Sequence, residues 1–312
     1  MDELYQQLKN FGHVKANVLL SKYTTFRIGG PAQFLIEIDE KEKLIKLLNW
    51  LRAQGVSFFV LGGGSNLLFS DDDFEGVVVK ISFKNYVLSG DKIIVDAGTN
   101  LGLIVNMTAQ NSLSGLEWAA GVPGTVGGAV RGNAGAFGGC TADNIETVTV
   151  WRDGEILELK KQDCHFDYRE SIFKSNGDVV LSVTFKFVLG DQQKILAKMQ
   201  ENIKYRVARF APHPSAGSFF KNISLNDYKG DISVLPEKAR QVGKVGAAWF
   251  IEQAGLKGYA VGGAKISDEH ANFLINFNNA TSADVLTLVE DVKEKVYNKF
   301  GVELEPEVQI VK

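Results

Sequence analysis

The sequence predicts an α+β protein with two or three domains. At 312 residues, the chain is longer than a single hydrophobic core usually supports. In its middle third, short apolar runs alternate with turn residues, which is typical of antiparallel strands. Four longer segments repeat their apolar residues at helical spacing. We expect domains over 1–84, 85–190 and 191–312.

The first helix and the strand after it open the fold. Residues 40–54 place four leucines on one helical face, with Asp39 as the expected N-cap and Gly55 as the expected stop. Residues 56–61 then predict a buried strand that leads directly into three consecutive glycines. A strand is also expected over 77–81.

The middle of the chain predicts an antiparallel sheet. Its strands are expected over 93–95, 147–152, 156–159 and 179–188. One helix, over 101–112, is expected between the first two of them.

Two further helices follow. Residues 192–209 repeat isoleucine and methionine at near-helical spacing, and we place a domain boundary just before them. The last helix is expected to begin at Thr281 or Ser282 and to end at Gly301, with valines along one face.

Composition and charge exclude several classes of protein. Hydrophobic residues at 45% and charged residues at 23% describe an ordinary globular chain. A net charge of -3 without any basic stripe argues against a nucleic-acid partner. With no long apolar run and no secretion signal, we expect a cytoplasmic protein without a membrane partner. Cys140 and Cys164 fit neither a disulfide framework nor a metal site, so no metal is expected.

Glycine is clustered in two loops. Three glycines are consecutive at 62–64, and six of the 32 fall within 121–135. Because glycine loses much conformational entropy when it is fixed, such clusters indicate tight turns or close approach to a ligand. A Rossmann fingerprint would need a glycine at Leu67 and a helix afterwards, and no Lys-Ser/Thr pair completes a P-loop. Either loop alone could be a tight turn, whereas two together indicate one extended ligand.

Residues 215–222, Ser-Ala-Gly-Ser-Phe-Phe-Lys-Asn, predict an active-site strand. Lys221 and Asn222 beside two phenylalanines are not expected in a core strand. They are expected in a site that binds a polar anion against the apolar surface of a cofactor. Taken alone, Ser218 would more often be a residue of an edge strand that caps a turn. The other motifs of the chain favour the site.

Those motifs together resemble a known family. They are 26–31 (Phe-Arg-Ile-Gly-Gly-Pro), 61–67 (Leu-Gly-Gly-Gly-Ser-Asn-Leu), 120–129 (Ala-Gly-Val-Pro-Gly-Thr-Val-Gly-Gly-Ala), 132–138 (Gly-Asn-Ala-Gly-Ala-Phe-Gly), 168–171 (Tyr-Arg-Glu-Ser) and 305–308 (Glu-Pro-Glu-Val). In this order, with the serine strand, they resemble the UDP-N-acetylenolpyruvoylglucosamine reductase family over nearly the whole chain. The resemblance implies a two-subdomain FAD-binding module of the vanillyl-alcohol-oxidase (PCMH) type, followed by a C-terminal α+β substrate domain.

The resemblance also implies an activity and a cofactor site. The family uses FAD and NADPH to reduce UDP-N-acetylglucosamine enolpyruvate to UDP-N-acetylmuramate for peptidoglycan. FAD is expected to be non-covalent, because no histidine lies in the glycine loops for attachment. The implied FAD-binding residues are Gly62, Gly63, Gly64, Ser65, Asn66, Leu67, Gly121, Pro123, Gly124, Thr125, Gly128, Asn133, Ala134, Gly135 and Ala136.

The expected reaction, conjugate hydride addition, develops an enolate and then needs a proton. The resemblance implies that Arg169 binds the substrate carboxylate, that Glu307 helps to stabilise the enolate, and that Ser218 donates the proton. The implied substrate-binding residues are Arg209, Asn222, Lys244 and His270. The last of these is explained equally well as a core histidine.

Some features depart from the family pattern, and two other functions stay open. Phe137 stands where tyrosine is common, and Gln309 replaces an arginine. The short connection before Ser215 resembles the subclass that lacks the Tyr loop, but residues 226–245 are longer than usual there. Another FAD oxidoreductase of the same fold would not need Ser218. A binding module without turnover is suggested only by Gln309.

We expect a monomer.

Overall fold

The structure is a computed structural model that describes residues 2–209 and 212–312. Its contacts divide the chain into two units. The first comprises Met1–Val18, Ala32–Gly63 and Glu75–Ala208, and the second comprises Leu19–Pro31, Gly64–Phe74 and Arg209–Lys312. The helix expected over 192–209, at the start of the third expected domain, therefore belongs to the first unit. The division into 1–84, 85–190 and 191–312 stays a prediction.

Helices and strands are both present, and the largest sheet is antiparallel, as in an α+β fold. The α-helices are Asp2–Leu8, Lys41–Ala53, Leu101–Gln110, Val126–Arg131, Gln192–Val207, Glu237–Val242, Ala247–Gln253 and Ser282–Phe300. The longer strands are His13–Leu19, Pro31–Ile38, Phe58–Leu61, Phe74–Ile81, Tyr86–Ser89, Lys92–Asp96, Ile145–Arg152, Glu155–Lys160, Val179–Lys186, Ser215–Ser218 and Phe273–Asn276. The strands of two or three residues are Leu67–Phe69, Leu113–Ser114, Gly135–Ala136, Gly139–Cys140, Val188–Leu189, Ile223–Ser224, Lys244–Val245, Ala260–Val261, Ala264–Ile266 and Gln309–Val311.

The N-terminal sheet of the first unit leads into the first glycine turn. Its last strand, Phe58–Leu61, lies parallel to Phe74–Ile81. The four leucines of the Lys41–Ala53 helix are fully buried, which confirms the predicted face. Two details were wrong: Glu40 rather than Asp39 is the N-cap residue, and the strand that was predicted to be buried over 56–61 is shorter and half-buried except at its last residue.

The second sheet of the first unit confirms the predicted antiparallel strands. Its five strands, in spatial order, are Glu155–Lys160, Ile145–Arg152, Val179–Lys186, Lys92–Asp96 and Tyr86–Ser89. The predicted helix over 101–112 ends at Gln110, and the side chain of Asn100 caps its N-terminus by accepting the Leu103 N–H at 3.2 Å.

The second unit is built around the last helix. Thr281 is its N-cap and forms a capping box with Asp284, and Gly301 ends it at a φ of +64°. Its valines lie in a core with the sheet formed by Ser215–Ser218, Phe273–Asn276 and two shorter strands. Both predicted ends of this helix are confirmed.

Several negative findings apply to the described residues. Every helix there is too short or too polar to cross a membrane. No group of three or more His, Cys, Asp and Glu side chains in that part of the chain is placed to hold a metal ion. Cys140 and Cys164 are free, and burial raises the pKa of Cys164 to about 11, so this thiol stays protonated at neutral pH.

Candidate active site

The two glycine loops meet in the first unit. A Cβ placed on Gly62 would lie 2.5 Å from the Thr125 Oγ1, and one on Gly63 would lie 2.7 Å from the Gly124 Cα. Since real Cβ atoms do not approach so closely, a side chain at Gly63 would force the two main chains apart, and one at Gly62 would displace the Thr125 side chain. The two loops are therefore in contact at these four residues.

Lys80 supports the first glycine turn, and we did not single it out from the sequence. Its Nζ donates to the Gly62 carbonyl at 3.3 Å. Burial lowers the pKa of Lys80, while the charge of Glu37 opposes this shift. The available signal was a lysine that directly follows three buried valines in the Phe74–Ile81 strand. Its ammonium group adds positive charge beside the turn.

The second glycine loop has an unusual main-chain conformation. Gly121 and Gly124 have φ values of +81° and +118°, which glycine adopts at little cost. The Thr125 Oγ1 accepts the Gly128 N–H at 3.4 Å and caps a short helix. Farther along, the Asn133 Nδ2 donates to the Asp167 carbonyl at 2.8 Å, so this loop is tied to the turn that carries Arg169.

Arg206 is a second residue beside the glycine loops that no sequence motif indicated. From the Gln192–Val207 helix, its Nε and Nη2 donate to the carbonyls of Ala120 and Trp118, each at 3.0 Å. Its guanidinium also lies 5.0 Å from the centre of the Phe137 ring. Burial, and then the nearby charge of Arg169, lower the pKa of Arg206. The guanidinium groups of Arg206 and Arg169 together make this region favourable for an anion.

Arg169 occupies a main-chain conformation that is uncommon for residues other than glycine. Its φ is +57°, and its carbonyl accepts the Lys174 Nζ at 2.5 Å. The Arg169 Nη2 donates to the Gly135 carbonyl at 2.6 Å. A left-handed arginine that is fixed by its neighbours is typical of a functional site. It places the guanidinium against a predicted cofactor residue.

Ser218 ends a strand in the second unit. It pairs with Phe273, and the register shifts within Ser215–Ser218, where Gly217 has a φ of +80°. Phe219 and Phe220 are each 1% exposed and belong to the core of this unit. These rings therefore pack as in a core strand, although Lys221 and Asn222 argued against a core strand at this position. The strand itself is confirmed, and Ser218 is half-buried beside the core.

The segment after Ser218 is hydrogen-bonded to the segment that carries Glu307. The Glu307 N–H donates to the Phe219 carbonyl at 2.7 Å, and the Lys221 N–H donates to the Glu305 carbonyl at 2.9 Å. The structure thus brings together two of the three predicted catalytic residues. Arg169 belongs to the other unit.

Asn66 also contacts the Glu307 segment. Its Nδ2 donates to the Glu307 carbonyl at 3.1 Å, and its own carbonyl accepts the Gln309 N–H at 3.1 Å. The strand Gln309–Val311 then continues parallel to Leu67–Phe69. A predicted FAD-binding residue is therefore bonded directly to the segment of a predicted catalytic residue.

The predicted substrate-binding residues lie in the second unit. Asn222 precedes the strand Ile223–Ser224, which pairs with Lys244–Val245, and its Oδ1 accepts the Ala247 N–H at 3.4 Å. The His270 Nδ1 accepts the Asn272 N–H at 3.3 Å. Burial, and then the charges of Arg209 and Lys257, lower the pKa of His270, which favours the neutral imidazole.

Two family models match parts of this chain. Residues 32–160 match the model of an FAD binding domain, and residues 209–311 match that of the UDP-N-acetylenolpyruvoylglucosamine reductase C-terminal domain. These matches define the class as an FAD-dependent oxidoreductase.

Similar proteins identify the family. The UDP-N-acetylenolpyruvoylglucosamine reductase of Caldanaerobacter subterraneus subsp. tengcongensis is 40% identical over 100% of this chain and 97% of its own. That of Clostridium novyi is 40% identical over 96% and 92%. The crystal structure of the Thermus caldophilus enzyme has a TM-score of 0.78 and 35% identity, and the match covers 96% of this chain and 99% of that one. The chain belongs to the UDP-N-acetylenolpyruvoylglucosamine reductase family, which confirms the predicted family, fold class and FAD cofactor.

Proposed function

We propose that the protein reduces UDP-N-acetylglucosamine enolpyruvate to UDP-N-acetylmuramate, a precursor of peptidoglycan, with NADPH as the reductant. The observation that carries this proposal is the 2.7 Å hydrogen bond from the Glu307 N–H to the Phe219 carbonyl. This bond holds the main chain of Glu307 beside Phe219, the residue that follows Ser218. An enol ether reduction needs such a pair, because the enolate must be stabilised and then protonated.

The glycine loops fit FAD. Consecutive glycine turns present main-chain N–H groups that bind a pyrophosphate without a formal charge. The close packing of Gly62 and Gly63 on Gly124 and Thr125 supports one continuous surface of this kind. FAD, when bound, carries hydride from NADPH to the substrate. We infer non-covalent binding, because the loops offer hydrogen bonds and no histidine for attachment.

Three side chains share the chemistry on the substrate. Arg169 binds the enolpyruvyl carboxylate with its planar pair of donors. Glu307, either protonated or sharing a proton with the substrate carboxylate, reduces the charge of the developing enolate. Ser218 gives its hydroxyl proton to the carbon next to the carboxylate after hydride has reached the far carbon.

Four further side chains bind the nucleotide sugar. Arg209 and Lys244 bring cations to the diphosphate. Asn222 supplies an amide, and its contact with the Ala247 N–H keeps that amide near the Lys244 strand. His270 supplies a neutral imidazole that donates through Nε2, since its Nδ1 accepts the Asn272 N–H. We further propose a cytoplasmic monomer of the subclass without the Tyr loop, although residues 210–211 of the connection that defines it lie outside the described residues.

Product analysis tests the function. Purified protein, NADPH and the enolpyruvyl nucleotide should yield NADP⁺ and a nucleotide heavier by the mass of H₂. NADPH oxidation that is coupled only to dioxygen, with the nucleotide unchanged, would instead indicate an oxidase of the same fold. Failure to oxidise NADPH despite tight nucleotide binding would indicate a binding module.

A further inference from the structure

Asn272 lies buried beside the strand that carries Ser218. Its side chain is 2% exposed, and it directly precedes the Phe273–Asn276 strand. The ladder between this strand and Ser215–Ser218 ends at the pair Ser218–Phe273. The main chain after Ser218 therefore leaves the ladder and needs other partners for its buried peptide groups.

Asn272 supplies these partners. Its carbonyl accepts the Phe219 N–H at 2.8 Å. Its Oδ1 accepts the Phe220 N–H at 2.9 Å, and its Nδ2 donates to the Phe220 carbonyl at 2.8 Å. A carboxamide offers one acceptor and one donor side by side, as a strand neighbour does. One residue thus extends the sheet beyond the end of its ladder.

The opposite side of the same segment carries Glu307. The Phe219 carbonyl accepts the Glu307 N–H at 2.7 Å, and the Glu305 carbonyl accepts the Lys221 N–H at 2.9 Å. Residues 219–221 are therefore held between Asn272 and residues 305–307. A shift of this segment would move Ser218 and Glu307 relative to each other.

We propose that Asn272 is a positioning residue that sets the geometry of Ser218 and Glu307, and with it the rate at which the enolate is protonated. The inference rests on the proposed function, in which Ser218 donates the proton. Phe220 is 1% exposed, so removal of the Asn272 amide leaves a buried N–H and a buried carbonyl without partners. The segment regains hydrogen bonds only by moving, because unpaired buried peptide groups are costly.

Asn276 provides a matched control. It lies in the same strand, its Nδ2 donates to the carbonyls of Phe26 and Arg27 at 3.3 and 3.4 Å, and its Oδ1 accepts the Ala280 N–H at 2.8 Å. It therefore bonds to main-chain groups as Asn272 does, but to none in residues 218–221.

Stopped-flow kinetics on FAD-loaded enzyme tests the proposal. Asn272→Ala should leave flavin reduction by NADPH unchanged and slow flavin reoxidation by the enolpyruvyl nucleotide on the order of 100-fold, with full amplitude. The slower step should show a larger solvent isotope effect, since proton transfer limits it. Asn272→Asp accepts the Phe220 N–H but cannot donate to the Phe220 carbonyl. Its rate of flavin reoxidation should therefore lie between those of Asn272→Ala and the unmodified protein. Asn276→Ala should behave as the unmodified protein.

Amide hydrogen exchange gives a readout that does not depend on activity. The N–H groups of Phe219 and Phe220 should exchange faster in Asn272→Ala, faster by a smaller factor in Asn272→Asp, which still accepts the Phe220 N–H, and at the normal rate in Asn276→Ala. If Asn272→Ala does not fold, Asn272→Asp carries both measurements.

Three results separate the possible failures. Equal slowing of both half-reactions, or a loss of amplitude at a normal rate, would show that Asn272 is only structural. A slow Ser218→Ala enzyme beside normal Asn272 variants would overturn this inference alone. A normal Ser218→Ala enzyme would overturn the proposed function itself.

Discussion

The glycine loops of the first unit and the serine strand of the second hold their main chains in opposite ways. At Gly63 and Gly124, main chain packs on main chain because no side chain intervenes. At Ser218, the following peptides are enclosed by the side chain of Asn272 and the segment of Glu307. The first arrangement suits a surface that binds a ligand through N–H groups. The second suits side chains that must be aimed at a reacting atom.

The largest expected effect lies in the serine strand. Ser218→Ala should slow the substrate half-reaction by about 10²- to 10⁴-fold, the usual contribution of a general acid, while NADPH still reduces the flavin normally. Stopped-flow absorbance of the flavin measures both steps. Ser233→Ala, in the same unit, is the control and should change neither. Equal slowing of both steps would indicate that Ser218 is a structural residue.

Glu307→Gln should have the next largest effect. The amide keeps the size and hydrogen-bonding capacity of the side chain but cannot share a proton, so turnover should fall much more than affinity. Titration of the oxidised enzyme with substrate measures affinity, and steady-state kinetics measures kcat. Glu303→Gln, at an exposed position just before this segment, is the control. Normal turnover in Glu307→Gln would remove this residue from the mechanism.

A change in the glycine loops should affect cofactor binding instead. Gly63→Ala places a methyl group 2.7 Å from the Gly124 Cα, so the loops must separate. We expect a lower affinity for FAD, measured by fluorescence titration of flavin-free protein. Gly102→Ala is the control, since its Cβ would meet only the Asn100 Oδ1, at 3.1 Å. Unchanged FAD affinity in Gly63→Ala would mean that the packing of these loops does not shape the site.

The smallest effect is expected at Arg206. Arg206→Met removes two hydrogen bonds to the carbonyls of Trp118 and Ala120 but keeps an unbranched side chain. Hydrogen bonds from charged groups contribute roughly 1.5–3 kcal/mol each, and part of that should appear as about a tenfold weaker affinity for FAD. Arg240→Met, at an exposed position of the Glu237–Val242 helix, is the control. A variant that binds FAD normally but slows the substrate step would place Arg206 with Arg169 instead.

The sequence was most informative at positions where the main-chain conformation allows few residue types. The glycines predicted the loops, and Thr281 and Gly301 marked both ends of the last helix, because caps and left-handed turns select few residue types. The family motifs predicted the segments of Ser218 and Glu307. The hydrogen bond between these segments could not be predicted, because it joins the main chains of Phe219 and Glu307, which are 88 positions apart in sequence.

Other features could not be predicted because they depend on tertiary contacts. Asn272 and Arg206 bind main-chain carbonyls or N–H groups that are distant in sequence, and such contacts have no local motif. Lys221 and Asn222 argued against a core strand, yet Phe219 and Phe220 beside them are both buried in the core. Alternation of apolar and polar residues is interrupted there, so the pattern alone did not show which side faces solvent.

Anaerobic flavin absorbance tests the central claim most directly. The purified protein should be yellow and should release intact FAD on denaturation. NADPH should bleach it, and the colour should return only when the enolpyruvyl nucleotide is added, in an amount equal to the nucleotide reduced. Colourless protein that takes up no FAD, or bleached protein that the nucleotide does not reoxidise, would contradict the account.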